Sequence, residues 1–149
     1  VEIEPVLQQI LSAYRTLPLA HRNGAPLDFK LEVIPANLAF SGGLQDLQDI
    51  FGTLLENALR YATKFVEINV EAIAQPPMFC LRISDDGEGF TSNVLEAFQS
   101  REKPPSAASS GLGLSIVRRM VEHYDGQFTI ANLPKGGATA TVILPREIF

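Results

Sequence analysis

Between Leu44 and Ala62 the chain places apolar residues at Leu47, Ile50, Phe51, Leu54, Leu55, Ala58, Leu59 and Ala62. At about 100° per residue these positions share one wide arc, so the stretch predicts a long helix that must lie on a broad apolar surface. The rest of the sequence supplies that surface. Leu27–Val33 and Phe65–Val70 alternate apolar and polar residues, and a further apolar run after Gln75-Pro76-Pro77 ends at Ser84. Gln127–Asn132 and Ala138–Leu144 flank a Pro134-Lys135-Gly136-Gly137 turn and read as a closing hairpin. Two more helices are predicted. One runs over Glu4–Tyr14, and the other over Gly113–Tyr124 with Leu114, Ile116, Val117, Met120 and Val121 facing the core. Strands that pair mainly with neighbours, interrupted by helices in blocks, predict an α+β fold. It is a two-layer α/β sandwich with one mixed, mostly antiparallel sheet and helices on one face.

With 149 residues the chain is read as a single domain, 1–149, large enough to bury roughly two-thirds of its unfolded surface. Because it opens on Val1 rather than Met, it is expected to be part of a longer protein. A formal charge of −5 argues against nucleic acid, which calls for a basic face. It also requires a highly anionic ligand to bring a cation or to meet local positive potential. No apolar run approaches the ~18 residues of a membrane span. The one cysteine, Cys80, lies in Met78-Phe79-Cys80-Leu81-Arg82-Ile83 and reads as an inert core thiol, which fits a reducing compartment.

Three short segments carry chemistry. On the long helix Thr53, Asn57, Arg60 and Lys64 are expected at one edge of the apolar arc, where core meets solvent. Asn57 offers a neutral, hard amide oxygen of the kind Mg²⁺ accepts when phosphates and water complete its shell. Arg60 and Lys64, one and two turns along, are placed to reach phosphates. The second segment, Asp85-Asp86-Gly87-Glu88-Gly89, follows a strand. A carboxylate at Asp85 accepts a hydrogen bond from the exocyclic amine of adenine, whereas guanine would oppose it with a second acceptor. Gly87 and Gly89 allow positive φ and close approach of backbone to base. Asp86 cannot take the place of Asp85, since Glu88 would then fall on the first glycine position. The third segment, Gly111-Leu112-Gly113-Leu114, opens a helix, where free amides and the helix dipole attract an anion. Before it, Thr91–Ser110 is polar, small and proline-containing, a candidate lid over phosphates. Taken singly, these are also an edge amide with solvated charges, an ordinary turn, and a helix starting after a loop.

In order and setting the three segments resemble the asparagine box and the two glycine boxes of the ATPase superfamily shared by gyrase, MutL, heat-shock chaperones and histidine kinases. The resemblance runs over nearly the whole chain, from the first helix to Gly136-Gly137-Ala138-Thr139 and Leu144-Pro145. It implies the Bergerat ATP-binding fold, with ATP and Mg²⁺ as ligands. By the same resemblance Asn57 holds the metal, Asp85 binds adenine, Arg60 and Tyr61 lie near the nucleotide, and Phe98 precedes the lid. The expected nucleotide site comprises Asn57, Arg60, Tyr61, Lys64, Asp85, Gly87, Gly89, Phe98, Gly111, Leu112, Gly113, Leu114 and Thr139, with Asn57 and Arg60 as the catalytic residues.

Thr53 decides the branch. Chaperone, gyrase, anti-sigma kinase and mitochondrial-type kinase branches place a glutamate four residues before this asparagine, as the base that activates water or a hydroxyl. Threonine cannot act as that base near pH 7, and Glu56 is turned about 100° from Asn57. Histidine kinases need no such base, because the attacking imidazole is itself a nucleophile. The expectation is therefore the ATP-binding catalytic domain of a sensor histidine kinase, a cytoplasmic domain. It would donate the γ-phosphate to a histidine on a separate helical domain of the same protein or a dimer mate, with a response regulator downstream. Any membrane anchor would lie in upstream regions. A protein-serine kinase or ATP-hydrolysing relative, and a catalytically silent nucleotide-binding module, are the alternatives. Departures from the family pattern are Ser109 in place of a glycine two before Gly111, Arg60 in place of the commoner lysine, and a short lid. Neither His21, in a turn, nor His123, near a helix end, has the setting of a phosphoacceptor, so the isolated domain is expected not to phosphorylate itself.

Overall fold

The computed structural model describes residues 1–100 and 109–148, with the side chains of residues 100 and 109–112 left aside. Helix α1 (Ile3–Arg15) leads through a short 3₁₀ turn (Pro18–Ala20) into a small hairpin, β1 (His21–Arg22) and β2 (Ala25–Pro26). Strand β3 (Asp28–Ile34), helix α2 (Leu44–Tyr61) and strands β4 (Phe65–Ile73) and β5 (Met78–Asp85) follow. Helices α3 (Ser92–Ser100) and α4 (Ser109–His123) precede the closing hairpin of β6 (Gln127–Asn132) and β7 (Ala138–Pro145). The five-stranded sheet has the order β3-β4-β5-β7-β6. Strands β3 and β4 are parallel, as a helical crossover through α2 demands, and every other pair is antiparallel.

Alternation gives this sheet a wet face and a dry one. Val66, Ile68 and Val70 of β4, Phe79, Leu81 and Ile83 of β5, and Val142 and Leu144 of β7 are all buried. They pack with Leu7 and Leu11 of α1, with the predicted arc of α2, and with Leu114, Val117 and Val121 of α4 in one core. The expected two-layer α+β sandwich is the observed one.

The end of α2 is fixed from both sides. Its last carbonyls have no intrahelical partner. The Arg22 guanidinium meets them, donating to the carbonyl of Leu59 and, at 3.0 Å, to that of Ala62. Past the helix, the Asp86 carboxylate accepts from the amides of Thr63 (2.8 Å), Lys64 (3.0 Å) and Phe65 (3.3 Å). Two long-range contacts therefore hold the turn that carries α2 into β4.

Four expectations need correction. Lys64 does not continue the α2 face, because the helix stops at Tyr61. Ile116 is 56% exposed rather than core-facing. Cys80 is half-buried on the wet face of β5, one residue out of phase with Phe79 and Leu81. Burial still pushes its thiol pKa up, away from reactivity. Finally, the polar Thr91–Ser110 segment is not one loop. Thr91 Oγ1 accepts from the Val94 amide at 3.2 Å as a helix N-cap, and Ser92–Ser100 is helix α3. The remainder of the expected lid, 101–108, lies outside the described residues.

Candidate functional site

A cavity of about 60 Å³ opens where α2, the end of β5, the loop after it and the start of β7 meet. Asn57 and Tyr61 bound it from α2, Asp85 and Ala138 from the sheet, and Gly89, Phe90, Thr91 and Val94 from the loop and α3. Asp85 is the outstanding group. At 6% exposure it is the one buried charged or polar residue among those described. Burial pushes its carboxyl pKa up, against the Gly87 amide, which donates to Oδ1 at 2.8 Å. The neighbouring Asp86 charge adds to the rise, and the Ala138 amide opposes it. An ionisable group held in this way beside a cavity is a site signature rather than a structural one. What the arrangement offers is a hydrogen-bond acceptor at the floor of a largely apolar slot, suited to a flat donor-bearing ring.

The two glycines after Asp85 serve different needs. At Gly87 a Cβ would run into the Tyr61 carbonyl oxygen, so the chain passes directly against the end of α2. Gly89 has φ +90°, the left-handed region, and a Cβ there would come within 2.7 Å of Asn132 Oδ1. The expectation of positive φ therefore holds for Gly89, whereas Gly87 is a close-approach glycine.

Asn57, which lines the same cavity, is half-buried, and no described residue hydrogen bonds to its side-chain amide. A free neutral oxygen donor at a cavity edge fits a hard cation that shares its shell with phosphates and water. No cluster of three or more His, Cys, Asp or Glu ligands exists among the described residues. A metal here would thus have to arrive with an anionic ligand. Arg60 lies one turn on, exposed and paired with Glu56 at 3.6 Å, outside the cavity lining.

The structure does not gather every expected residue. Lys64 is in the turn held by Asp86, with its side chain exposed. Thr139 lies on the wet face, accepting from Ser84 Oγ at 3.0 Å, because alternation along β7 turns Ala138 inward instead. Phe98 packs edge-on to Phe128 at 5.1 Å and under the Arg118 guanidinium at 3.7 Å, away from the cavity. Helix α4 is described from Ser109, and Gly111 and Leu112 are its third and fourth described residues. Gly113 instead packs against α2, where a Cβ would stand 3.1 Å from the Thr53 methyl, and Leu114 is a core residue. Phe90, Thr91, Val94 and Ala138 were not expected in the site. The Thr91 N-cap pattern and the phase of β7 were the signals available for two of them. His21, bonded through Nδ1 to the Leu17 carbonyl at 2.8 Å, and His123, stacked edge-on against Tyr124, lie outside the cavity.

Residues 42–148 match the sequence model of the histidine kinase-, DNA gyrase B- and HSP90-like ATPases. Among relatives, the signal transduction histidine-protein kinase BaeS of Escherichia coli K12 is 33% identical over 99% of this chain and 32% of its own length. The sensor protein PhoQ of the same strain is 26% identical over 97% of this chain and 29% of its own length. The chain thus spans about a third of the relatives it matches. Among solved structures, full-length ShkA in complex with AMPPNP superposes with a TM-score of 0.80 at 22% identity, covering all of this chain and 31% of that one. The catalytic domain of histidine kinase ThkA gives 0.77 at 15% identity, over 97% and 94%. The chain belongs to the family of histidine kinase-, DNA gyrase B- and HSP90-like ATPases, and the relatives named above are sensor histidine kinases.

Proposed function

We propose that this domain holds Mg·ATP and presents its γ-phosphoryl group to a histidine on a separate helical domain of the same protein or of a dimer mate. The observation that carries the reading is the pairing of a buried Asp85 acceptor with an unpartnered Asn57 across one cavity. Asp85 would accept from the adenine amine, while Gly89 and Phe90 wall the ring. Asn57 would hold Mg²⁺, which when bound supplies charge neutralisation on the phosphates. The amides of α4 around Gly111 and Leu112 would face the phosphate chain. Arg60 would exchange its partner Glu56 for phosphate oxygens, a low-cost exchange because exposed pairs are worth only about 0–1 kcal/mol.

With no carboxylate at Thr53, the chain lacks the base that would activate water. The incoming imidazole supplies the nucleophile. Its nitrogen forms a bond to the γ-phosphorus as the bond to the β–γ bridging oxygen breaks and ADP leaves. The protein's share of catalysis is positioning and electrostatics. The domain would work in the cytoplasm, where ATP is, and a response regulator would take the phosphoryl group onward.

The test is to tether the helical hairpin that carries the acceptor histidine in the parent protein. The isolated chain should bind Mg·ATP without labelling itself. The tethered form, at an effective concentration up to about millimolar, should yield an acid-labile, base-stable phosphohistidine. Acid-stable phosphoserine on an added substrate, or brisk phosphate release from the isolated chain, would place it in another branch.

A further inference from the structure

The last residue of β6, Asn132, spends its side chain on the backbone of a residue 42 positions away. Its Oδ1 accepts from the Phe90 amide at 2.6 Å, and its Nδ2 donates to the Phe90 carbonyl at 3.0 Å. One amide side chain thus satisfies both backbone groups of Phe90, as a neighbouring strand would. The hairpin does not need this contact for itself. Its turn is closed by the Leu133 amide on the Gly137 carbonyl (2.9 Å) and the Gly136 amide on the Leu133 carbonyl (3.0 Å). Nor does the contact sit in the core, since Asn132 is exposed. What it fixes is the loop that leaves Asp85. Gly89, at φ +90°, lies against Asn132 Oδ1, and Phe90 lines the cavity. Directly across the ladder Asn132 pairs with Ala138, which also lines the cavity and is itself paired with Asp85 on β5.

From this geometry we infer that Asn132 is a positioning residue for base recognition. It clamps Phe90 and so holds the Gly89–Phe90 wall at a fixed height over the Asp85 acceptor. The inference rests on the adenine reading of the cavity. Without the clamp, Gly89 is free to swing and the wall no longer selects a ring presented edge-on to Asp85. The effect falls on discrimination between bases more than on the phosphates, which the adenine reading assigns to the Asn57 side.

The experiment compares ADP and GDP binding by calorimetry for the wild-type domain, Asn132→Ala and Asn132→Asp, with thermal unfolding of each nucleotide-free protein. Wild type should prefer ADP. Asn132→Ala should weaken ADP about tenfold, the scale of a lost hydrogen-bonded pair, and narrow the ADP-to-GDP preference. Asn132→Asp keeps the acceptor for the Phe90 amide but turns the Nδ2 donor into an acceptor facing the Phe90 carbonyl, so it too should narrow the ADP-to-GDP preference, which serves as the check if the alanine variant folds poorly. Unchanged ADP affinity in both folded variants overturns the inference. So does a lowered unfolding temperature with the ADP-to-GDP preference intact, which would mark Asn132 as merely structural. Failure of the wild type to bind ADP would instead bring down the adenine reading itself.

Discussion

At the end of β5 two adjacent carboxylates face opposite ways. Asp85 points into the cavity, buried, with its pKa raised mainly by burial. Asp86 points toward the turn after α2. Burial tends to raise it too, but the amides of Lys64, Thr63 and Phe65 outweigh that effect and hold it below the usual carboxylate range. One group is kept short of partners beside an opening, and the other is saturated by backbone donors. Destabilised charge at a cavity reads as recognition, while well-solvated charge at a turn reads as architecture. Had burial alone been the guide, both would have been ranked by exposure. The identity of the donors is what separates them.

The largest effect should come from breaking both sides at once. Gly137 has φ +101°, and a Cβ there would strike the Asp85 carbonyl oxygen and come within 3.2 Å of Asp86 Cα. We predict that Gly137→Ala costs about 3 kcal/mol of stability, visible in urea or thermal unfolding. A loss under about 1 kcal/mol would mean the two carboxylates are not fixed by the β6–β7 turn.

Asp85→Asn isolates the recognising side. ADP affinity should fall by about 2 kcal/mol while stability holds or rises, because a buried charge whose desolvation outweighs its amide contacts is removed. The pH dependence follows the same sign. A raised carboxyl pKa means that the ionised form strains the fold. Folding stability should therefore gain as pH falls through the Asp85 pKa. Nucleotide affinity should fall over the same range, above the ordinary ~3.9, as the acceptor is protonated. Calorimetry across pH on wild type and Asp85→Asn checks this, since the variant should lack that transition.

Asp86→Asn sharpens the other side. It should cost about 1.5 kcal/mol of stability, from weakened charge-assisted bonds to three amides, with ADP affinity nearly unchanged. The sign is opposite to that of Asp85. With a folded pKa below the ordinary ~3.9, the Asp86 contribution is fully present above that value and is lost as pH falls through the folded pKa. Acid unfolding curves of the two single variants should therefore diverge in opposite directions.

The smallest effect concerns a neutral group that shares the cavity without charge. Asn57→Ala should remove the Mg²⁺-dependent part of ATP affinity, about 1 kcal/mol, and leave ADP binding without metal untouched. An equal Mg²⁺ response in wild type and variant would remove Asn57 from the metal's shell.

Much of this was legible before the structure. The α2 arc, the strand alternation and the hairpin turn follow from side-chain period, and they specified the sandwich and the order of its layers. Asn57 and Asp85 were legible as chemistry, since each is a polar group embedded in an apolar period. What the sequence hid was decided at long range. Lys64 leaves the helix face because Arg22 and Asp86 end α2, through contacts 21 to 23 residues apart in sequence for the carboxylate and 37 to 40 for the guanidinium. Thr139 and Cys80 face the wet side because the sheet has helices on only one face, which a locally apolar run does not disclose. Helix α3 was obscured by its polar opening, and the Asn132 clamp joins two segments with no local pattern in common.

The contact between Thr53 and Gly113 bears on how such domains diverge. Glycine lets α4 settle directly onto α2 at the very position where hydrolytic branches are expected to carry a carboxylate. A longer acidic side chain at 53 would need space that α4 now occupies. A single Thr53→Glu exchange should therefore leave the chain a poor hydrolase. Acquiring wasteful turnover would then take room at this contact as well as the carboxylate itself, so one substitution alone is a poor route to it.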